Sequence, residues 1–102
     1  MRGLLPLLAG LALVALGAWL PVATVVVSVR EEDRLYSGGV IWLEAGGRRY
    51  NATWVGNEAV FAVEPGTYVL GPSCCSRLNA VRAPGRYRAF YGGGCWFLVS
   101  QG

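Results

Sequence analysis

A change of chain direction is written into residues 61–70, and it limits the fold more than any other stretch. Phe61 and Val63 alternate with Ala62 and Glu64 at the period of two that sets one row of strand side chains inward. Pro65-Gly66 then turns the chain. Proline fixes φ at the second turn position, and glycine at the third supplies the φ > 0 of a type II turn. Tyr68 and Leu70 resume the alternation with β-branched Thr67 and Val69 around them. The stretch reads as strand, turn, strand, with Tyr68 in the core.

Further strands follow from the same period. Residues 24–30 place Val25, Val27 and Val29 on one face and Thr24, Val26 and Ser28 on the other. The charged Glu31-Glu32-Asp33-Arg34 and the Ser37-Gly38-Gly39 cluster then read as a loop. Residues 40–44 and 48–55 form a hairpin about Gly46-Gly47, where both turn positions can take φ > 0. On its second strand Tyr50, Ala52 and Trp54 share a face opposite Arg49, Asn51, Thr53 and Val55. Gly56-Asn57-Glu58 turns into residues 59–64. Gly71-Pro72-Ser73-Cys74-Cys75 is irregular, Ala83-Pro84-Gly85 is a break, and residues 86–91 and 95–100 are two last strands across Gly92-Gly93-Gly94. The expected fold is all-β, a small antiparallel β-sandwich of about six or seven strands preceded by one N-terminal hydrophobic helix.

The hairpin, the glycine-closed turn and the Pro65-Gly66-Thr67-Tyr68 turn between an aromatic-bearing strand and another strand resemble the carboxypeptidase-regulatory-like domain. The resemblance covers about residues 24–70 and implies a transthyretin-like β-sandwich that accompanies other activities. Gly56 precedes Asn57-Glu58 here, whereas the family more often has acidic or Asn residues before the glycine, a departure that bears on the turn type more than on the fold.

Met1-Arg2 precedes an uncharged run to Val29. Its first part, residues 4–20, is Leu- and Ala-rich, and Pro21 ends any helix there. A helix of that length is short for the roughly 20 residues of a bilayer span and slightly long for a signal-peptide core of about 7–15 residues. Residues 1–23 therefore read as a signal peptide or a membrane anchor, and residues 24–102 as the β-sandwich domain. Either reading exports the C-terminal part, because the positive terminus stays inside.

Missing residue types exclude most chemistry. The chain has no histidine, so Ser-His-Asp, Cys-His and His-containing zinc sites are absent. It has no lysine for a phosphate clamp or a Schiff base. No catalytic residue, metal or cofactor is expected, and the chain reads as a non-enzyme. Nine arginines are scattered among six acids, which makes no nucleic-acid stripe. The triplet Glu31, Glu32 and Asp33 matches no calcium-loop spacing and reads as solvated.

Three cysteines remain. In an exported protein Cys95 would pair with Cys74 or with Cys75, closing a loop of roughly 20 residues, and adjacent cysteines seldom bond each other. The leftover thiol is either buried as a small hydrophobe, joined to another chain, or part of a soft-metal site that lacks a fourth ligand. Asn51-Ala52-Thr53 is a glycosylation sequon on the polar side of its strand. Trp42, Trp54 and Trp96 are candidates for stacking on sugar, with at least two of them expected in the core; Trp19 belongs to the membrane run. Residues 25–29 and 95–99 are uncharged and β-prone, able either to pair inside the sandwich or to add to a neighbour's sheet.

Together these features point to a non-catalytic exported structural or interaction module, secreted or membrane-anchored at the cell surface, with protein partners or self-association through strand edges. A carbohydrate-binding module using Trp42 or Trp54, and an accessory subunit of a membrane complex held by residues 4–20, are the alternatives. Nucleic acid is not an expected partner.

Overall fold

The computed structural model describes residues 21–74 and 78–101. The signal or anchor is expected over residues 1–23; residues 1–20 of it, Trp19 included, lie outside the described residues, and Ala23 belongs to the first strand rather than to that segment. Among the described residues no helix is long and apolar enough to cross a membrane.

Nine strands and one short helix are described. β1 (Ala23–Ser28) leads to helix α1 (Glu31–Ser37) and then to β2 (Trp42–Ala45), β3 (Arg48–Asn51), β4 (Thr53–Val55) and β5 (Glu58–Val63). β6 (Gly66–Gly71), β7 (Ala80–Ala83), β8 (Gly85–Gly92) and β9 (Cys95–Gln101) complete the chain. Five strands form one sheet in the order β4-β5-β1-β8-β9, and four form the other in the order β3-β2-β6-β7. The core lies between them, filled by Val25, Val27, Leu43, Phe61, Leu70, Val81 and Trp96, each fully buried. Burying each of the large apolar side chains stabilises the fold by about 1.5–3 kcal/mol.

Several expectations hold in detail. Phe61, Val63, Tyr68 and Leu70 all point inward. Gly46 and Gly47 have φ of 57° and 77°, and Ala45 faces Arg48 across the two-residue hairpin they form. Gly93-Gly94 joins β8 to β9 in the same way.

Others are corrected. The strand count is nine rather than six or seven, for two reasons. Residues 48–55 are not one strand, because β3 pairs with β2 and β4 pairs with β5, so the chain passes from one sheet to the other at Ala52. Alternation continues across that step, which hides it in the sequence. The second reason is β7, an additional edge strand paired to β6. Nor is the sandwich wholly antiparallel. β1 pairs antiparallel with β5 but parallel with β8, from Val25 beside Gly85 to Ser28 beside Arg88. The Pro65-Gly66 turn is no type II hairpin either: Gly66 is not among the positive-φ glycines, and β5 and β6 belong to different sheets, so the turn carries the chain between layers.

Residues 31–37 form a helix, not a loop. Three acids in its first turn favour the positive end of the helix. Gly38, at φ 68°, ends it, with Gly38 N–H donating to Leu35 O at 3.1 Å and Gly39 N–H to Arg34 O at 3.2 Å, the paired bonds of a Schellman cap.

Both apolar end segments are held within the sandwich. β1 is bonded on both sides, at the centre of the five-stranded sheet. β9 is an edge strand, but Trp96 N–H donates to Pro72 O at 2.8 Å, and the Asn79 side chain engages the next two positions that face outward.

Tyr68 is buried at the joint between the layers. Its hydroxyl donates to Glu64 O at 2.6 Å, and its ring meets Tyr50 edge-on at 5.7 Å. Burial first, then Tyr50 and Glu64, pushes the phenol pKa up. A folded-state pKa above the unfolded value of about 10 gives stabilisation that is complete below about pH 10 and is lost as pH rises through the folded value. The unfolding midpoint followed by denaturant titration across that alkaline range is expected to fall less steeply in Tyr68→Phe than in the wild-type chain.

Candidate functional site

Three places in the fold gather the candidate residues: a sulfur-bearing side, a tryptophan platform and a groove beside α1.

On the first, Cys74 is bonded to Cys95, with Cα atoms 5.6 Å apart. Cys75, the other candidate, lies outside the described residues. Cys95 opens β9, and Cys74 ends the segment that follows β6, so the bridge ties the edge of one sheet to the chain leaving the other. Its 21-residue separation corresponds to about 3 kcal/mol on chain-entropy grounds. Cys95→Ser is expected to lower the unfolding free energy by that amount, measured by denaturant titration, with no further loss on adding reductant.

The same side contains Asn79, a residue that sequence reasoning missed. It is 1 % exposed. Its Nδ2 donates to Trp96 O at 2.7 Å, its Oδ1 accepts from Leu98 N–H at 3.3 Å, and its own carbonyl accepts from Leu70 N–H at 2.8 Å. One amide side chain thus bonds the outer edge of β9 as a neighbouring strand would, while its backbone extends the β6 ladder. The available signal was a lone Asn between Leu78 and Ala80, close to the cysteine pair. On the adjacent edge, Arg82 N–H of β7 donates to the Tyr87 hydroxyl at 2.8 Å. Side chains therefore supply partners to both edge strands on this side.

The second place is the outer face of the four-stranded sheet. Trp42 lies on Gly71, where an added Cβ would stand 2.8 Å from the indole Cε2. Its other neighbours are the Arg49 guanidinium, 4.0 Å from the ring centroid, and Glu44, which accepts from Nε1 at 3.3 Å. Asn51 is directly opposite Trp42 in the β2–β3 register and is exposed, so the sequon asparagine points to solvent. Trp54 is elsewhere: it packs against the core cluster, donates to Gly39 O at 3.0 Å and has Arg34 5.9 Å from its ring. Trp96 is wholly buried and donates to Val40 O at 2.9 Å. The fold thus buries Trp96 in the core, packs half-buried Trp54 against it and separates Trp42 from Trp54, so one tryptophan rather than two is fully core.

The third place is an open groove of 530 Å³ where β1 stops beside the middle of β8. Ser28, Val29 and Arg30 form one wall, Arg88 and Phe90 another, and Val99 the third. Arg88 pairs with Ser100 and Ala89 with Leu98, which leaves Val99 as the extra residue of a bulge. A bulge re-aims its side chain, and Val99 is 58 % exposed. Phe90 stacks on Phe97 at 5.1 Å. Helix α1 packs beside β8.

Asp33 of the acidic triplet is buried and held by Arg30, which donates through Nε at 2.8 Å and through Nη2 at 3.0 Å. The hydrogen bonds to Asp33, and its charge, raise the Arg30 pKa. A carboxylate so paired is not available to a cation, and among the described residues no cluster of acids or thiols could hold a metal. No protein-family model, no curated protein and no solved structure matches the chain.

Proposed function

We propose that the chain is a non-catalytic exported domain, secreted or tethered through its apolar N-terminal run, that serves as a structural or interaction module at a cell surface. The Cys74–Cys95 bridge carries this reading, since such bonds persist in oxidising surroundings and staple domains too small to rely on their cores alone. The resemblance of residues 24–70 to a domain that accompanies other activities agrees with it. The two apolar end segments are not open edges, because β1 is central and β9 is bonded by Pro72 and Asn79, which favours partners at a face over partners at those two strands. Protein partners are favoured over glycans, because Trp42 has a guanidinium over its ring and Trp54 packs on the core.

Trypsin added to intact cells of the source organism tests export, since Arg48 and Arg49 follow an exposed turn. Cleavage there while a cytosolic marker stays whole is the expected result. A chain that resists trypsin until the cells are broken overturns the proposal.

A further inference from the structure

Helix α1 buries its polar side and exposes its apolar one. Asp33 and Ser37, one turn apart, are 1 % and 8 % exposed, whereas Leu35 and Tyr36 are 65 % and 79 % exposed. A surface helix ordinarily does the reverse. Its inward side has a local explanation: Arg30 binds Asp33, and the Ser37 hydroxyl donates to Arg34 O and accepts from Gly39 N–H. Among the described residues the outward side has no such explanation. It also carries Glu31 and Glu32; Glu31 has no ion pair among the described residues, and Glu32 reaches only Arg30, at 3.6 Å. The exposed face of α1 is therefore apolar and anionic.

The groove next to it is apolar and cationic. Phe90 and Val99 supply the apolar surface, and Arg88 is exposed with no ion pair among the described residues. Arg30, the residue that begins α1, forms part of the groove wall, so the two surfaces adjoin at one end of the sandwich.

We propose that the occupant of this groove is a second copy of the chain, with α1 of each copy lying in the groove of the other about a two-fold axis. Leu35 and Tyr36 pack against Phe90 and Val99, and Glu31 or Glu32 faces Arg88. Adjacent patches of opposite charge and shared apolarity make a self-complementary surface, which a two-fold contact closes without leaving either patch over. An anionic lipid surface would meet the two glutamates unfavourably. The proposal rests on the interaction-module reading and names its partner.

Sedimentation of the full chain in mild detergent, with and without reductant, provides the test. A dimer under both conditions is expected. Arg88→Glu and, separately, Tyr36→Ser are expected to weaken it by about tenfold or more. The pair Glu31→Arg and Glu32→Arg should do the same, and adding Arg88→Glu to that pair should restore association. Circular dichroism checks that each variant is folded, and Leu35→Ser replaces any that is not. A monomer, a dimer indifferent to these substitutions, or one dissolved by reductant alone overturns the proposal. Surface exposure to trypsin would survive any of those outcomes, so a failure here is distinguishable from a failure of the module reading.

Discussion

Trp96→Ala is expected to cost about 4 kcal/mol, within the roughly 3–5 kcal/mol range for emptying a buried aromatic site. Trp96 is fully buried, packs against Tyr91 at 5.0 Å and donates to Val40 O. Its removal opens a cavity between the sheets and strands the carbonyl of the segment that leads from α1 to β2. Domains are stable by only about 5–15 kcal/mol, so this variant is expected to be largely unfolded at 37 °C even with its disulfide intact. Denaturant titration by circular dichroism measures the loss. Trp42→Ala provides the contrast: its indole is on an outer face beside an exposed arginine, and the expected loss is about 1 kcal/mol. Equal losses in the two variants would contradict the division of the tryptophans between core and surface.

Asn79→Ala is expected to destabilise by about 3 kcal/mol, a larger effect than its size indicates. No apolar contact accounts for it. Truncation leaves the buried Trp96 O without the amide donor that now pairs with it and removes one acceptor from the part-buried Leu98 N–H, and an unsatisfied buried group costs about 1–3 kcal/mol. Asn79→Asp discriminates between volume and hydrogen bonding, because the carboxylate keeps an acceptor for Leu98 N–H but places an oxygen where Trp96 O requires a donor. It should therefore be nearly as damaging as alanine, and water entry into the alanine cavity would appear as a smaller loss there. Both variants also expose the outer edge of β9, and increased aggregation at constant net charge in Asn79→Ala would accompany the loss of that cap.

What could be read from the chain, and what could not, divides by range. The Gly46-Gly47 hairpin and the inward rows of β5 and β6 are local patterns, and they appear where the residues place them. Helix α1 carried a local signal too, in its acidic first turn and the glycine pair that ends it, but seven residues offer too little periodicity to outweigh the impression of a charged loop. The parallel pairing of β1 with β8 joins residues some sixty positions apart, and an alternating strand does not encode the direction of its neighbour. The step at Ala52 preserves alternation while changing sheets. Pro65-Gly66 marked a true turn, but a turn between layers is selected by the partners of β5 and β6, which lie elsewhere in the chain.

The candidate site was less legible than the fold. Cys74, Cys95, Trp42 and Asn51 were visible as residue types, and the bridge and the outward placement of Trp42 and Asn51 follow from where their strands lie. The groove was not visible, because it is made by an ending strand, a bulge at Val99 and a helix, each set by pairing elsewhere. Leu35 and Tyr36 attract notice only once Asp33 and Ser37 are seen to take the buried side.

Mapping the cysteines of the native protein tests the central claim, an exported domain stapled across its sheet edge, more directly than any variant. Protein isolated under acid quench and alkylated before digestion should yield residues 74 and 95 as one linked pair, with Cys75 recovered outside that pair. Three alkylated thiols, or a Cys75–Cys95 pair, would contradict it.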